Sequence, residues 1–241
     1  MNKKFLSLFS LLGIVLTSCA HHVVIGSGKQ ATEDRKVSGF ENLDISTSLH
    51  AIINVQPGAQ TSLTLSGYQN ILDDIKTEVK DNTLRIYTED DIQFGINKKI
   101  EAVITVPSLA ALSLSGAPDA DIHGTINCKN FKLDISGAAN ANIENLSSTE
   151  LSSDLSGAGK IEITGGNVQH AQYSISGAGS IRAYGLQTKE TVASVSGAGE
   201  CDVTAQEKLE AHISGVGKVR YKGHPQVDSH VSGVGSVSDA N

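Results

Sequence analysis

A short phrase recurs seven times between Leu112 and Asp239, and it constrains the fold more than any other feature. The copies are Ser115-Gly116-Ala117-Pro118, Ser136-Gly137-Ala138-Ala139, Ser156-Gly157-Ala158-Gly159, Ser176-Gly177-Ala178-Gly179, Ser196-Gly197-Ala198-Gly199, Ser214-Gly215-Val216-Gly217 and Ser232-Gly233-Val234-Gly235. Successive serine numbers differ by 21, 20, 20, 20, 18 and 18. A period near twenty is the mark of a solenoid, in which each repeat stacks on the one before it.

Aligned on the serine, the repeats show what each coil does. The residue before it is always aliphatic: Leu114, Ile135, Leu155, Ile175, Val195, Ile213 and Val231. The residue before that is always polar: Ser113, Asp134, Asp154, Ser174, Ser194, His212 and His230. This alternation describes a strand with one face inward. A second alternation follows the glycine, with Ala120, Ala141, Ile161, Ile181, Cys201, Val219 and Val237 inward, and Asp121, Asn142, Glu162, Arg182, Asp202, Arg220 and Ser238 outward. Each repeat therefore reads strand, bend, strand, then a variable return of about ten residues. Gly116, Gly137, Gly157, Gly177, Gly197, Gly215 and Gly233 are the expected corner residues, because a tight bend needs positive φ or close backbone approach. The predicted fold is an all-β, right-handed parallel β-helix. Its hand is taken from the general preference of parallel crossovers. The alternating signs of Glu162, Arg182, Asp202 and Arg220 suit neighbouring coils that pair.

The rest of the chain divides around this column. Residues 1–18 carry Lys3 and Lys4, the apolar run Phe5 to Leu16, and Thr17-Ser18, which is the pattern of a secretory signal too short to span a bilayer as a helix. Leu16-Thr17-Ser18-Cys19 resembles the lipobox of bacterial lipoproteins. That resemblance implies cleavage before Cys19, lipidation of its thiol, and a membrane anchor of several acyl chains. Loss of Lys3 and Lys4 leaves 17 basic against 26 acidic residues, a formal charge of −9, which opposes binding to nucleic acid. Residues 19–36 read as a flexible tether. Ala20-His21-His22 lacks the acidic run that directs some such lipoproteins to the cell exterior, so a periplasmic and a surface-exposed position both stay open.

Residues 37–111 are rich in strands but less regular: Leu43–Ser46, Leu49–Val55, Ser62–Ser66, Ile75–Lys80, Thr83–Thr88 and Ile100–Val106, with turns at Pro57-Gly58 and Asp81-Asn82 and a loop from Glu89 to Lys99. Ile45, Leu65, Ile86 and Val106 fall 20 or 21 apart, which suggests either first coils of the same body or a sheet that caps them. The regular β-helix is expected over 112–241. Its polar ending has no obvious cap, so the last edge is open to a partner or to an oligomer.

Several pieces together resemble one bacterial family, the putative auto-transporter adhesins with a head GIN domain. They are the lipobox, Val37-Ser38-Gly39-Phe40-Glu41-Asn42-Leu43-Asp44-Ile45, Val79-Lys80-Asp81-Asn82-Thr83-Leu84-Arg85-Ile86, Val106-Pro107-Ser108-Leu109 and the Ser-Gly-Ala-Gly repeats. The resemblance covers roughly residues 37–223. It implies a β-helical extracytoplasmic protein and supplies no catalytic motif.

Three groups of residues carry candidate chemistry. Asp134 and Asp154 hold equivalent outward positions, with Asp119 and Asp121 one coil away, and two carboxylates roughly 5 Å apart can serve glycoside hydrolysis. No accompanying base or aromatic sugar platform is evident, so a solvated polar ladder is the plainer expectation. His212 and His230 also share a phase, yet two ligands without a third do not make a metal site. Cys128 and Cys201 sit at different phases, which argues against a disulfide. The expectation is a non-enzymatic cell-envelope lipoprotein, lipid-anchored to the outer membrane and needing no cofactor or metal. It presents a β-helical surface to a polysaccharide or an envelope protein. The competing readings are a carbohydrate-active β-helical enzyme and a purely structural envelope protein.

Overall fold

Residues 22–89, 92–95 and 100–241 are described by a computed structural model; the stretch expected to be a signal sequence, residues 1–18, and Cys19 lie outside them. The chain forms a β-solenoid of about six turns. The repeats stack in the register the serines define. Ser115 pairs with Ser136, and the column continues through Ser156, Ser176, Ser196, Ser214 and Ser232. The second strands pair likewise, with Asp121 beside Asn142 and then Glu162, Arg182, Asp202, Arg220 and Ser238.

The return is a third sheet. Thr125 to Cys128 pairs with Asn145 to Ser148, and Leu146 to Ser148 with Gly166 to Val168. Each coil is thus three-sided. The offset of 20 residues at Ala183–Val203 drops to 17 at Gln187–Thr204, between the second and third sheets, and returns to 18 at Glu190–Lys208. The corner at the serines is untouched, so the stacking tolerates variation where no strand depends on it.

Those serine corners are shaped by backbone lying on backbone. Gly137 has φ +93, and a Cβ there would lie 2.5 Å from the carbonyl oxygen of Gly116. That carbonyl accepts the hydrogen bond of the Ala138 N–H at 2.8 Å, which joins one corner to the next. The second glycine of the phrase has a different task. A Cβ on Gly179 would meet the Leu155 side chain at 2.5 Å, so here the coil below fills the space.

Inside, the largest buried side chains have smaller residues in the same column. The fully buried Tyr173 lies between Ser153 and Ala193, and Phe131 heads a column that continues Leu151, Ala171, Thr191. Volume summed along the axis is what keeps such an interior close-packed. The Tyr173 hydroxyl has no protein hydrogen-bond partner among the described residues, nor does the Ser153 hydroxyl. Burial also pushes the Tyr173 pKa up. An orphaned buried hydroxyl costs about 1–3 kcal/mol. Tyr173→Phe is therefore expected to raise the melting temperature by about 3 °C, read by calorimetry. A fall would show that the hydroxyl is satisfied in solution.

The N-terminal strands join the column out of chain order. Asn42–Ser46 pairs in parallel with Ala111–Gly116 on one side and Thr83–Thr88 on the other. His50–Val55 likewise lies between Asp119–Gly137 and Glu101–Val106. The coil nearest the chain start is therefore second in the stack. Beyond these coils the pairing turns antiparallel: Ile75–Lys80 closes the first sheet, and Ser62–Tyr68 followed by Gln30–Arg35 closes the second. Ile45 and Ile86 are paired core neighbours, whereas Leu65 belongs to an antiparallel cap strand despite its spacing. Residues 37–111 thus contribute parallel strands to the stack and antiparallel strands at its end.

The stretch read as a tether is strand in its described part, His22–Ile25 and Gln30–Arg35. His22–Ile25 pairs in parallel with Ile92–Gly95, inside the segment expected to be a loop. The one-turn helix Gln69–Leu72 adds a second hold, because the Asn70 amide donates to the Ile25 carbonyl at 3.0 Å and accepts from the Ser27 N–H at 3.0 Å.

Candidate functional site: the outward ladders

In a parallel column every outward residue sits beside its equivalents, so the surface is a set of ladders rather than a cleft. The second sheet carries the most connected one. Asn140 donates to Asp119 at 2.7 Å, Asn142 donates to Asp121 at 2.7 Å, and His50 Nε2 lies 2.8 Å from the other Asp121 oxygen. The two acidic residues singled out in sequence thus serve as acceptors in a structural ladder. The Asn142 hydrogen bond first, and His50 second, hold the Asp121 carboxyl below its ordinary value of 3.8. A depressed folded pKa adds stability above the unfolded value and releases it as pH falls through the folded one. Asp121→Asn is therefore expected to melt on the order of 2 °C below the parent at pH 7, with the gap closing as the pH falls below the ordinary carboxyl value of 3.8. A gap that persists in acid would mean the carboxylate charge contributes nothing.

The expected charge alternation is present as register, but its bonds run in two directions. Glu162 is engaged by Lys160, two residues away on its own strand, and that contact holds its pKa down. Arg220 instead reaches across to the coil before it, 2.7 and 2.9 Å from the two Asp202 oxygens and 3.4 Å from Glu200. Asp202 is the buried partner of that pair.

On the first sheet Asp134 and Asp154 are register neighbours. Each is engaged on its own strand: Lys132 Nζ donates to Asp134 at 2.6 Å, and the Ser152 hydroxyl to Asp154 at 3.4 Å. Next to them runs the ladder Asn130, Glu150, His170, Glu190, Lys208, with His170 Nδ1 3.1 Å from Glu190. Lys132, Glu150, His170, Gln172 and Glu190 line a shallow open groove of about 400 Å³. Sequence reasoning did not single it out, although equal phase on adjacent coils marks Glu150, His170 and Glu190. The groove offers charge and hydrogen bonds along the column.

His212 and His230 stack with ring centroids 5.4 Å apart, each beside an acidic residue: His212 is 2.9 Å from Glu210 and His230 is 3.6 Å from Asp228. Among the described residues no group of three or more His, Cys, Asp and Glu is placed to hold a metal ion. Cys128 and Cys201 are free thiols, and burial pushes the Cys201 pKa up, as its place between Ile181 and Val219 requires.

These features define a β-solenoid whose polar groups are spread in ladders along its length. The chain belongs to the family described as "Putative auto-transporter adhesin, head GIN domain", whose sequence profile matches residues 39–225. Among solved structures, a putative adhesin from Bacteroides fragilis is 29% identical with a TM-score of 0.85, the match covering 90% of this chain and 100% of that one. A putative adhesin from Parabacteroides distasonis is 25% identical with a TM-score of 0.72, over 91% and 100% of the two chains. A second protein from that species, called a putative lipid binding protein, shares the fold at 20% identity and a TM-score of 0.75, over 91% and 100%. No curated protein matches the chain.

Proposed function

We propose that this chain is a non-enzymatic lipoprotein, anchored through Cys19 to the outer membrane, that binds an extended partner along its ladders. Family membership and the structural relatives support an adhesin-like role at the cell envelope. The observation that carries the reading is the surface itself: paired, hydrogen-bonded polar columns that repeat from coil to coil without converging on a reacting centre. A linear partner, a polysaccharide strand or an envelope protein segment, matches such a one-dimensional array.

The fold also supports the proposed orientation. His22, the first strand residue, lies three positions after Cys19, a span of roughly 10 Å at most. Its strand is held at the capped end of the column. The anchor therefore keeps the cap near the bilayer and leaves the last coil at the far end, roughly 40 Å away for nine strands about 4.8 Å apart.

Protease shaving of intact cells, with permeabilised cells as control, tests the surface reading. Loss of the chain from intact cells is expected for an adhesin, whereas loss only after permeabilisation confines its partners to the periplasm. Cys19→Ala is expected to abolish labelling by radioactive palmitate and to shift the chain out of the membrane pellet by at least tenfold. Release of reducing ends from acidic or neutral polysaccharides, abolished by Asp134→Asn or Asp154→Asn, would overturn the non-enzymatic reading.

A further inference from the structure

The two ends of the column are finished differently. At the capped end the outermost strand of the second sheet reads Gln-Ala-Thr-Glu-Asp-Arg, and Glu33 and Arg35 form an ion pair at 2.7 Å. Charged, antiparallel edges of this kind resist further pairing. At the other end the first sheet stops at Gln226–Gly233, all eight residues of which are exposed. Val227 and Val231 are 37% and 45% exposed, yet they are in register with Leu209 and Ile213, which are 0% and 2% exposed. They are core positions with no coil over them among the described residues. The neighbouring bends add Val216 and Val234, 62% and 83% exposed, where earlier bends carry Ala. Apart from Val23 and Ile25, every large exposed apolar side chain among the described residues lies here.

We propose that this edge pairs antiparallel with the same edge of a second copy of the chain, about a two-fold axis through Ser229. The segment Val227-Asp228-Ser229-His230-Val231 is close to a chemical palindrome. Centred on Ser229, an antiparallel pair sets Val227 opposite the partner's Val231, so both apolar positions continue the core across the junction. The same register sets Asp228 opposite the partner's His230 on the outer face. Strand alternation keeps the two sets apart, because opposed residues share a face. An imidazole set directly across from a carboxylate is placed to hydrogen-bond it, which favours that register. The contact uses one patch twice and closes on itself, so it yields a dimer rather than a fibre. A head-to-tail stack would instead have to seat this edge on the charged cap.

The test uses the full chain in detergent. Directly opposed residues of an antiparallel pair have Cα atoms about 4.5–5.5 Å apart, within the usual disulfide range of about 4.4–6.8 Å. Ser229→Cys is therefore expected to give a disulfide-linked dimer on mild oxidation. Ser174→Cys, on the same sheet in mid-column, is expected to stay at the background set by the parent chain with Cys128 and Cys201. Sedimentation supplies the second measurement. Val227→Lys with Val231→Lys is expected to raise the dimer dissociation constant at least tenfold without changing the circular dichroism, because both sites are exposed. Asp228→Lys is expected to weaken the dimer, and Asp228→Lys with His230→Asp to restore it. A parent chain that sediments as a monomer at 100 µM would overturn the proposal. So would cross-linking of Ser229→Cys no better than Ser174→Cys, or a dimer unaffected by the double lysine variant.

Discussion

Gly177→Val is expected to lower the melting temperature by about 10 °C, while Ser180→Ala, three residues away, changes it by less than about 2 °C. The difference follows from what each position touches. Gly177 has φ +126, and a Cβ there would run into the carbonyl oxygen of Gly157 on the coil below. That oxygen is already the acceptor for the Ala178 N–H at 2.9 Å. A β-branched side chain thus combines backbone strain of about 1–3 kcal/mol with overpacking of about 1–3 kcal/mol, and relieving either one breaks the bond that joins the two corners. Ser180 is half-buried, and its link to the preceding coil is its backbone N–H to Gly159 at 3.1 Å, which alanine keeps. Calorimetry of both variants reads the contrast directly. Equal melting temperatures would mean that the serine corners do not hold the stack together.

That corner was legible in the sequence because a single repeated residue type must meet one geometric requirement in every coil. The inward and outward columns were legible for the same reason, and their register follows the serines throughout the repeats. The third sheet was not legible. Its inward residues, among them Ile126, Leu146, Val168 and Thr188, vary in chemistry, and the corner beside them varies in length, so no alternation survives alignment. The second glycine of the phrase was visible as part of the repeat but its separate role was not, because its requirement is set by a neighbour such as Leu155 and not by its own backbone. In the N-terminal part, spacing alone misplaced Leu65: a distance of twenty residues marks equivalent positions only where the chain winds in order, and here it does not.

The ladders show a related limit. Sign alternation between coils pointed to Glu162, Arg182, Asp202 and Arg220, yet the Lys160–Glu162 and Lys132–Asp134 pairs join residues two apart on one strand. Residues i and i+2 share a face about 6.6 Å apart, against about 4.8 Å between adjacent strands, and a lysine stem spans either distance, so it finds whichever carboxylate it reaches. Arg220 crosses between coils because it has two oxygens of a buried Asp202 to grip at once.

Phe131→Ala should be the other large perturbation, costing about 3–5 kcal/mol. Phe131 is 1% exposed, and with Tyr173 it is among the largest fully buried side chains. Its register neighbour Leu151 is followed by Ala171, so the column narrows away from it and has less side-chain volume to refill the space. A cavity that cannot collapse keeps its full cost. The consequence differs from that in a globular core, because each coil contacts mainly the coils on either side, and stability is close to a sum of nearest-neighbour terms. Weakening the junction at Phe131 separates the capped N-terminal coils from the coils beyond Leu151. Unfolding of this variant is therefore expected to split into two transitions, with the C-terminal coils melting first because their last edge is uncapped. Hydrogen exchange provides the site-resolved measurement: amides after Leu151 should lose protection at lower denaturant than those of Asn42–Ser46 and His50–Val55. A single transition with uniform loss of protection would show that the cap and the coils unfold as one unit, and that the column is more cooperative than its geometry implies.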